Sequence, residues 1–213
     1  MIGFLDLEKG FLYTLKSLFT RPGHFVREYI DGKRLTYFHF LTFLLLILGI
    51  YIFLDEFSNV KLSQLYASSS SENNLLQDYE SFSKKYPRLL TLIAIPLTSV
   101  ITYFLFKKAK YNFAEHIILN TFKSSGELVI VMLFTVLTIF YTNIEVLKPI
   151  YSILQVILGI YFVYFFFQYF SPQYKSKWKL FFRILFGYVT LQLFIGIIVA
   201  LALGIVKGYH SQI

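Results

Sequence analysis

The sequence predicts an all-α membrane protein with about five transmembrane helices, preceded by a cytoplasmic amphipathic helical N-terminal segment. Its 213 residues are 56% hydrophobic and only 15% charged, whereas soluble domains carry about 25% charged residues. Five apolar runs are each long enough to cross a bilayer as a helix, which needs roughly 17–25 residues. The chain contains no cysteine, which excludes disulfides, iron–sulfur clusters and thiolate zinc sites.

The N-terminal segment, residues 1–35, is predicted to form two amphipathic interfacial helices that meet at an Arg-Pro-Gly turn. Residues 4–19 place their apolar side chains on one helical face but are too few to cross a bilayer. This first helix either lies on the membrane surface or packs on the protein's own bundle, and the sequence favours neither. Pro22 suits the first turn of the second helix, and Gly32 is a natural stop for it.

Residues 36–206 are predicted to form the five-helix transmembrane bundle, and residues 57–85 a flexible polar loop within it. The first 36 residues hold ten charges, which is untypical of a cleavable signal peptide, so the first apolar run is expected to stay as a signal anchor. Pro96 falls inside the second run and predicts a kink rather than a break. The predicted spans are residues 36–54, 87–106, 125–142, 148–169 and 180–206.

The distribution of Lys and Arg predicts the orientation. Fourteen of these residues fall in the N-terminal segment, residues 107–123 and residues 175–183, and six fall in the segments on the other side. Because cytoplasmic loops carry the excess of cations, the N-terminus is expected in the cytoplasm. With five spans the C-terminus is then outside the inner membrane.

The segments LFTRPG and YIDGKR, followed by an aromatic run into the first apolar helix, resemble the bacterial domain-of-unknown-function family 3667. The match rests on Pro22, Gly23, Gly32, Lys33 and Arg34, with YNFAEHIILNTF at residues 111–122 as a second similar segment. The resemblance implies an integral bacterial membrane protein and supplies no activity. Many members begin with a cysteine-rich zinc ribbon. Since this chain has no cysteine, zinc binding is not carried over.

A polar stripe leads into the third span. His116, Asn120, Lys123 and Glu127 step by four, three and four residues and therefore share one helical arc, with Thr138 deeper on the same arc. Ionisable groups inside a membrane need partners, and Lys123 is the expected partner of Glu127. The stripe is either a gate, proton relay or headgroup site, or an interfacial helix end whose charges reach water. The position of Glu127 near the predicted boundary favours the helix end.

Two further residue sets are candidate contact sites. Arg21, Arg27, Lys33 and Arg34 lie beside aromatic residues and are expected to contact anionic lipid headgroups, or only to fix the topology. Gly196, Ala200 and Gly204 form a ladder of small residues for close helix packing, either within the chain or in a homodimer.

No sequence motif indicates catalysis, a metal or a cofactor, because HExxH, GxSxG, P-loop and GxGxxG patterns do not occur. The favoured function is a non-enzymatic scaffold, adaptor or membrane-organising protein whose partners are membrane lipids, a second copy or another membrane protein. Nucleic acid is not an expected partner. The alternatives are a small transporter or channel that uses the polar stripe, and a lipid-active membrane enzyme.

Overall fold

The computed structural model describes residues 4–60, 65 and 87–210, and the regular elements among these residues are all helical. The predicted all-α class is therefore confirmed. Short 3₁₀ turns occur at Arg34–Thr36, Lys107–Ala109 and Ser171–Gln173. The α-helices are α1 (Phe4–Thr20), α2 (Pro22–Ile30), α3 (Phe40–Asp55), α4 (Pro87–Leu105), α5 (Phe113–Phe140), α6 (Ile144–Phe170) and α7 (Lys177–His210).

Three segments of the described chain are long and apolar enough to cross a membrane, namely Arg34–Asp55, Phe113–Phe140 and Ile144–Gln173. A shorter apolar helix covers Ile93–Leu105. Length and composition alone identify these segments, so five spans remain a prediction. Most of the predicted polar loop, residues 61–64 and 66–85, lies outside the described residues, as do the side chains of 195–210.

Helix α5 lies at the centre of the bundle and packs against α3, α4 and α6. It begins with a capping box: the Asn112 side chain accepts from the Glu115 backbone N–H at 2.9 Å, and the Glu115 carboxylate accepts from the Asn112 N–H at 2.7 Å. These two bonds satisfy donors that a helix start would otherwise leave free. Pro96 lies inside α4 without ending it.

Helix α3 has one buried face and one exposed face, although nearly all its residues are apolar. Phe43, Leu44, Ile47 and Leu48 are buried, on the side that packs against α5. The opposite face is solvent-accessible in the isolated chain and includes Leu45, Leu46, Ile50 and Phe53. An apolar helix with an exposed apolar face is typical of a helix in contact with lipid.

The two N-terminal helices pack on the bundle. In α2, Phe25, Val26 and Tyr29 are buried, and in α1 the buried Leu18 accepts a hydrogen bond at its carbonyl from the Tyr161 hydroxyl of α6 at 3.2 Å. Of the two alternatives for this segment, packing on the bundle is thus observed. Contact of the same helices with a membrane surface stays a prediction.

The core is predominantly aromatic and joins α2, α5 and α6. Its largest fully buried side chains include Phe25, Phe122, Phe165, Phe166 and Tyr169. A second, small cluster of Val60, Leu65 and Leu147 lies at the other end of the bundle, where the Ser58 and Thr138 hydroxyls are 2.9 Å apart.

Candidate functional site

The Arg-Pro-Gly turn brings α2 into backbone contact with the C-terminal end of α6. A Cβ atom added to Gly23 would lie 2.2 Å from the Tyr169 nitrogen and 2.4 Å from the Gln168 carbonyl carbon. Only glycine lets the two backbones approach this closely. Pro22, buried at the first position of α2, fixes the backbone direction in which the helix starts.

Arg27 lies one turn further along α2 and stabilises the same contact. Its Nη1 donates to the carbonyl oxygens of Gln168 and Tyr169, both at 2.6 Å. These carbonyls belong to the last turn of α6, which has no following helical N–H groups to bond them. A cation at a helix C-terminus is also favoured by the helix dipole. In return, the Gln168 side-chain oxygen accepts from the Gly23 N–H at 2.7 Å.

The residues that pair across this junction, namely Gly23, Arg27, Gln168 and Tyr169, are called the clasp below. Phe25 and Tyr29 on the buried face of α2 pack against Phe122 of α5, with ring centroids 4.9 and 5.2 Å apart. Aromatic pairs in such edge-to-face arrangements add roughly 0.5–1.5 kcal/mol beyond their area burial. The clasp therefore joins α2 to α6, and the aromatic pairs with Phe122 join it to α5.

The end of α2 is a Schellman motif. Gly32 has a φ angle of 110°, and the Lys33 N–H donates to the Glu28 carbonyl at 2.9 Å. This left-handed conformation favours glycine and turns the chain toward α3. Gly32, which the sequence identified as part of the motif, thus turns the chain from α2 toward the first candidate span.

Glu28 is the centre of an ionic network on the outer surface of the N-terminal segment. Its carboxylate accepts from the Tyr37 hydroxyl at 2.6 Å and lies 3.6 Å from Arg21 and 3.9 Å from Lys33. The Tyr37 hydrogen bond is the main reason why the pKa of Glu28 is lowered, with smaller contributions from Lys33 and Arg21. Arg21 also donates to the hydroxyls of Tyr13 and Tyr37.

His24 lies beside Arg27, whose Nη2 is 2.8 Å from the His24 Nδ1. An Arg nitrogen can only donate, so Nδ1 accepts and the proton of the neutral ring is on Nε2. The pKa of His24 is lowered by partial burial and then by the charge of Arg27. His24 is thus expected to be neutral at physiological pH.

The four cations predicted to contact lipid headgroups differ in side-chain exposure and in the partners that they bind. Lys33 has 65% of its side chain exposed, and Arg34, although close to the Tyr29 ring, is also exposed. Arg21 is half-buried in the Glu28 network, and Arg27 is held by the carbonyls of α6. The structure therefore leaves Lys33 and Arg34 as the two cations of the motif most accessible to an external anion.

The polar stripe of α5 divides into separate contacts. His116 and Asn120 face α4, where the His116 Nδ1 lies 3.1 Å from the Thr102 hydroxyl and the Asn120 Nδ2 donates to the same oxygen at 2.9 Å. Asn120 also donates to the Ser99 hydroxyl at 3.3 Å. All four of these side chains are buried. They form one polar cluster between α4 and α5.

Two polar atoms of this cluster, the His116 Nε2 and the Asn120 Oδ1, have no hydrogen-bond partner in the described part of the chain. The Thr102 hydroxyl lies within hydrogen-bonding distance of both the Ser99 carbonyl, at 3.2 Å, and the His116 Nδ1, at 3.1 Å. Buried polar atoms are normally satisfied by protein or water.

The deeper members of the stripe have other partners. Lys123 pairs with Glu127 at 2.8 Å, with 9% and 27% of their side chains exposed. The Lys123 ammonium lies 5.7 Å from the centroid of the Phe162 ring of α6. Thr138 bonds Ser58 at the other end of the bundle. The expected pairing of Lys123 with Glu127 is present, whereas the shared arc does not form one continuous polar path.

The sequence did not reveal the residues of α6 that complete the clasp or the residues of α4 that complete the polar cluster. Gln168 and Tyr169 stand in the aromatic run YFVYFFFQYF, where Gln168 is the one non-aromatic polar residue and was the available signal. Ser99 and Thr102 were not linked to the stripe. Gly196, Ala200 and Gly204 lie on α7 where side chains are not described, so their packing role stays a prediction. Among the described residues, no three His, Cys, Asp or Glu side chains group as a metal site.

The fold defines a class: a helical bundle with apolar segments long enough to span a membrane, and an N-terminal segment clasped to one end. The family model described as "Protein of unknown function (DUF3667)" matches residues 8–52. This match confirms the resemblance to that family over the segment that contains α2, its motif and most of α3. Searches of curated proteins and of solved structures found no match.

Proposed function

We propose that this chain is a five-span protein of the bacterial inner membrane with a non-enzymatic, membrane-organising role. Residues 8–52, called the family segment below, build a cationic cytoplasmic face in this proposal. The observation that carries this proposal is the unequal charge of the two ends of the bundle. The end with the clasp also holds Tyr111, whose ring lies 4.9 Å from that of Tyr169, so the loop before α5 is at this end.

The loop between α6 and α7 belongs to the same end, because Arg183 donates to the Leu105 carbonyl of α4 at 3.0 Å. Three chain segments therefore bring their cations together. The exposed or half-buried cations at this end outnumber the acidic residues Glu28, Asp31 and Glu115 there; they are Lys16, Arg21, Arg27, Lys33, Arg34, Lys107, Lys108, Lys110, Lys175, Lys177, Lys179 and Arg183. At the opposite end the described side chains include Lys148 with Asp55, Glu56 and Glu145.

This asymmetry supports a cytoplasmic location for the clasp, since cations are retained on the cytoplasmic side and are attracted by its anionic lipids. Five spans then place the C-terminus outside. A reporter that is active only outside the cytoplasm, fused after Ile213, tests both statements. We expect activity with the full chain and none when the fusion follows Gln173, which precedes the last proposed span. A cytoplasmic signal after Ile213 would refute the five-span topology.

The transport alternative rests on the buried polar cluster of Ser99, Thr102, His116 and Asn120, because two buried polar atoms there have no hydrogen-bond partner among the described residues. A transport path needs polar groups along several helices, but the Lys123–Glu127 pair and Thr138 contact other elements. Leakage of protons or small ions from liposomes that contain the wild-type chain, and its loss in His116→Leu, would favour transport over the organising role.

A further inference from the structure

The outer face of α3 carries a groove that no described residue fills. It has a volume of about 510 Å³ and is widely open, because residues of α3 alone line it. Gly49 opens its centre, because no atom lies within 4 Å of the position that a Cβ there would take. The groove is lined by Thr42, Leu45, Leu46, Gly49, Ile50 and Phe53.

The lining residues follow one face of the helix at spacings of three and four, so the groove runs parallel to the helix axis. From Thr42 to Phe53 it is about 16 Å long, at about 1.5 Å per residue. One leaflet of a bilayer has a hydrocarbon depth of about 15 Å, half of the whole core. The groove thus has the length of an acyl chain in one leaflet.

The polar end of the groove lies toward the clasp. His39 is three residues before Thr42 on the same face, and its Nδ1 lies 3.5 Å from the Thr42 hydroxyl. The exposed cations Lys33 and Arg34 precede His39 in the sequence. Leu35, which lies between these cations and α3, is 98% exposed. The ion pair of Lys33 with Glu28 is long, at 3.9 Å. Exposed pairs of this kind are weak, so Lys33 remains available to another anion.

We infer that the family segment binds one anionic phospholipid, with its phosphate at Lys33, Arg34 and His39 and one acyl chain in the α3 groove at Gly49. The inference rests on the proposed membrane function and names the lipid class that this face selects. The positive charge at one end suits the phosphate of such a lipid, and the apolar groove below it suits an acyl chain. The main alternative occupant of a groove at a glycine is a helix from a second copy of the chain. Such a helix would not require the cations beside the groove.

Native mass spectrometry of the full-length chain tests the inference, with dioleoyl-phosphatidylglycerol and dioleoyl-phosphatidylcholine added separately at equal concentration. Wild type is expected to retain one phosphatidylglycerol with roughly fivefold or higher preference. Gly49→Leu should reduce this binding by a similar factor, because the new side chain occupies the groove. Gly10→Leu is the matched control, since an added Cβ there also meets no atom within 4 Å.

The double variant Lys33→Gln and Arg34→Gln is expected to remove the preference for the anionic lipid and to leave the fold intact, because both side chains are exposed. Equal retention of the two lipids by wild type would overturn the inference, as would unchanged binding in Gly49→Leu or in the double variant. Loss of a dimer in Gly49→Leu with unchanged lipid binding would assign the groove to a second copy. Reporter activity after Ile213 is measured separately, so failure here leaves the topology proposal standing.

Discussion

Gly23 and Tyr169 are in direct backbone contact, 146 positions apart in the sequence, and a Cβ at residue 23 would lie 2.2 Å from the Tyr169 nitrogen. This contact turns the first helices of the chain back onto the end of α6. It also explains why glycine follows proline in the turn: proline sets the direction of α2, and glycine permits its approach.

Gly23→Ala is expected to destabilise the chain by about 1–3 kcal/mol, since the methyl group must push two backbones apart. Thermal unfolding in detergent measures the effect. Gly10→Ala is the control, because its Cβ would meet no atom and alanine favours a helix by roughly 0.5–1 kcal/mol over glycine. Equal unfolding temperatures for Gly23→Ala and wild type would show that the backbones are not in contact.

Arg27→Gln should lower stability by about 1.5–3 kcal/mol, the range for hydrogen bonds to a charged group, because two carbonyls of α6 lose their donor. Arg34→Gln serves as the control, since Arg34 is exposed and bonds no carbonyl among the described contacts. The same thermal unfolding assay compares the two. A larger loss in Arg34→Gln than in Arg27→Gln would contradict the assigned roles.

The Glu28 network predicts a dependence on pH. Because the folded state lowers the pKa of Glu28, the carboxylate contributes stability that is present above its ordinary pKa and is lost as the pH falls through the folded-state pKa. Wild type should therefore lose more stability than Glu28→Gln does as the pH is lowered from 7 to about 3. Tyr37→Phe, which removes the main cause of the shift, should behave in between. Parallel unfolding curves for wild type and Glu28→Gln would argue against this network.

The Lys123–Glu127 pair is expected to be strongly coupled, because Lys123 is nearly buried. Lys123→Met should destabilise the chain, since it leaves the Glu127 carboxylate without its partner. Adding Glu127→Leu should recover part of that loss. A double-mutant cycle is expected to give an interaction energy of roughly 0.5–3 kcal/mol. Additive effects of the two substitutions would mean that both charges are held by water instead.

The features predicted from the sequence are those that depend on residues close together in the chain. Pro22 and Gly32 mark the start and stop of α2 because helix ends depend on neighbouring residues, and the four-residue spacing of Lys123 and Glu127 predicted their contact. The partners of Gly23, Arg27 and His116 lie in other helices. Their identity depends on how helices cross, which periodicity does not record, so the clasp and the polar cluster became visible only in the structure.

The stripe on α5 shows the same limit in another way. Periodicity places His116, Asn120, Lys123 and Glu127 on one helical arc, but a narrow arc still meets different neighbouring helices along its length. His116 and Asn120 face α4, whereas Lys123 lies over the Phe162 ring of α6. A sequence-based pattern of polar residues therefore predicts a face, and the packing decides whether that face is one site.

Single-cysteine labelling tests the central account most directly, because the natural chain has no cysteine. Cysteines introduced one at a time at Lys108 and Lys175, on the cationic end, and at Asn59 and Glu145, on the opposite end, are exposed to a membrane-impermeant maleimide in intact cells whose outer membrane has been made permeable. We expect labelling at Asn59 and Glu145 at once, and at Lys108 and Lys175 only after the inner membrane is opened. Immediate labelling at position 108 or 175, or equal labelling of both ends, would contradict the proposed orientation.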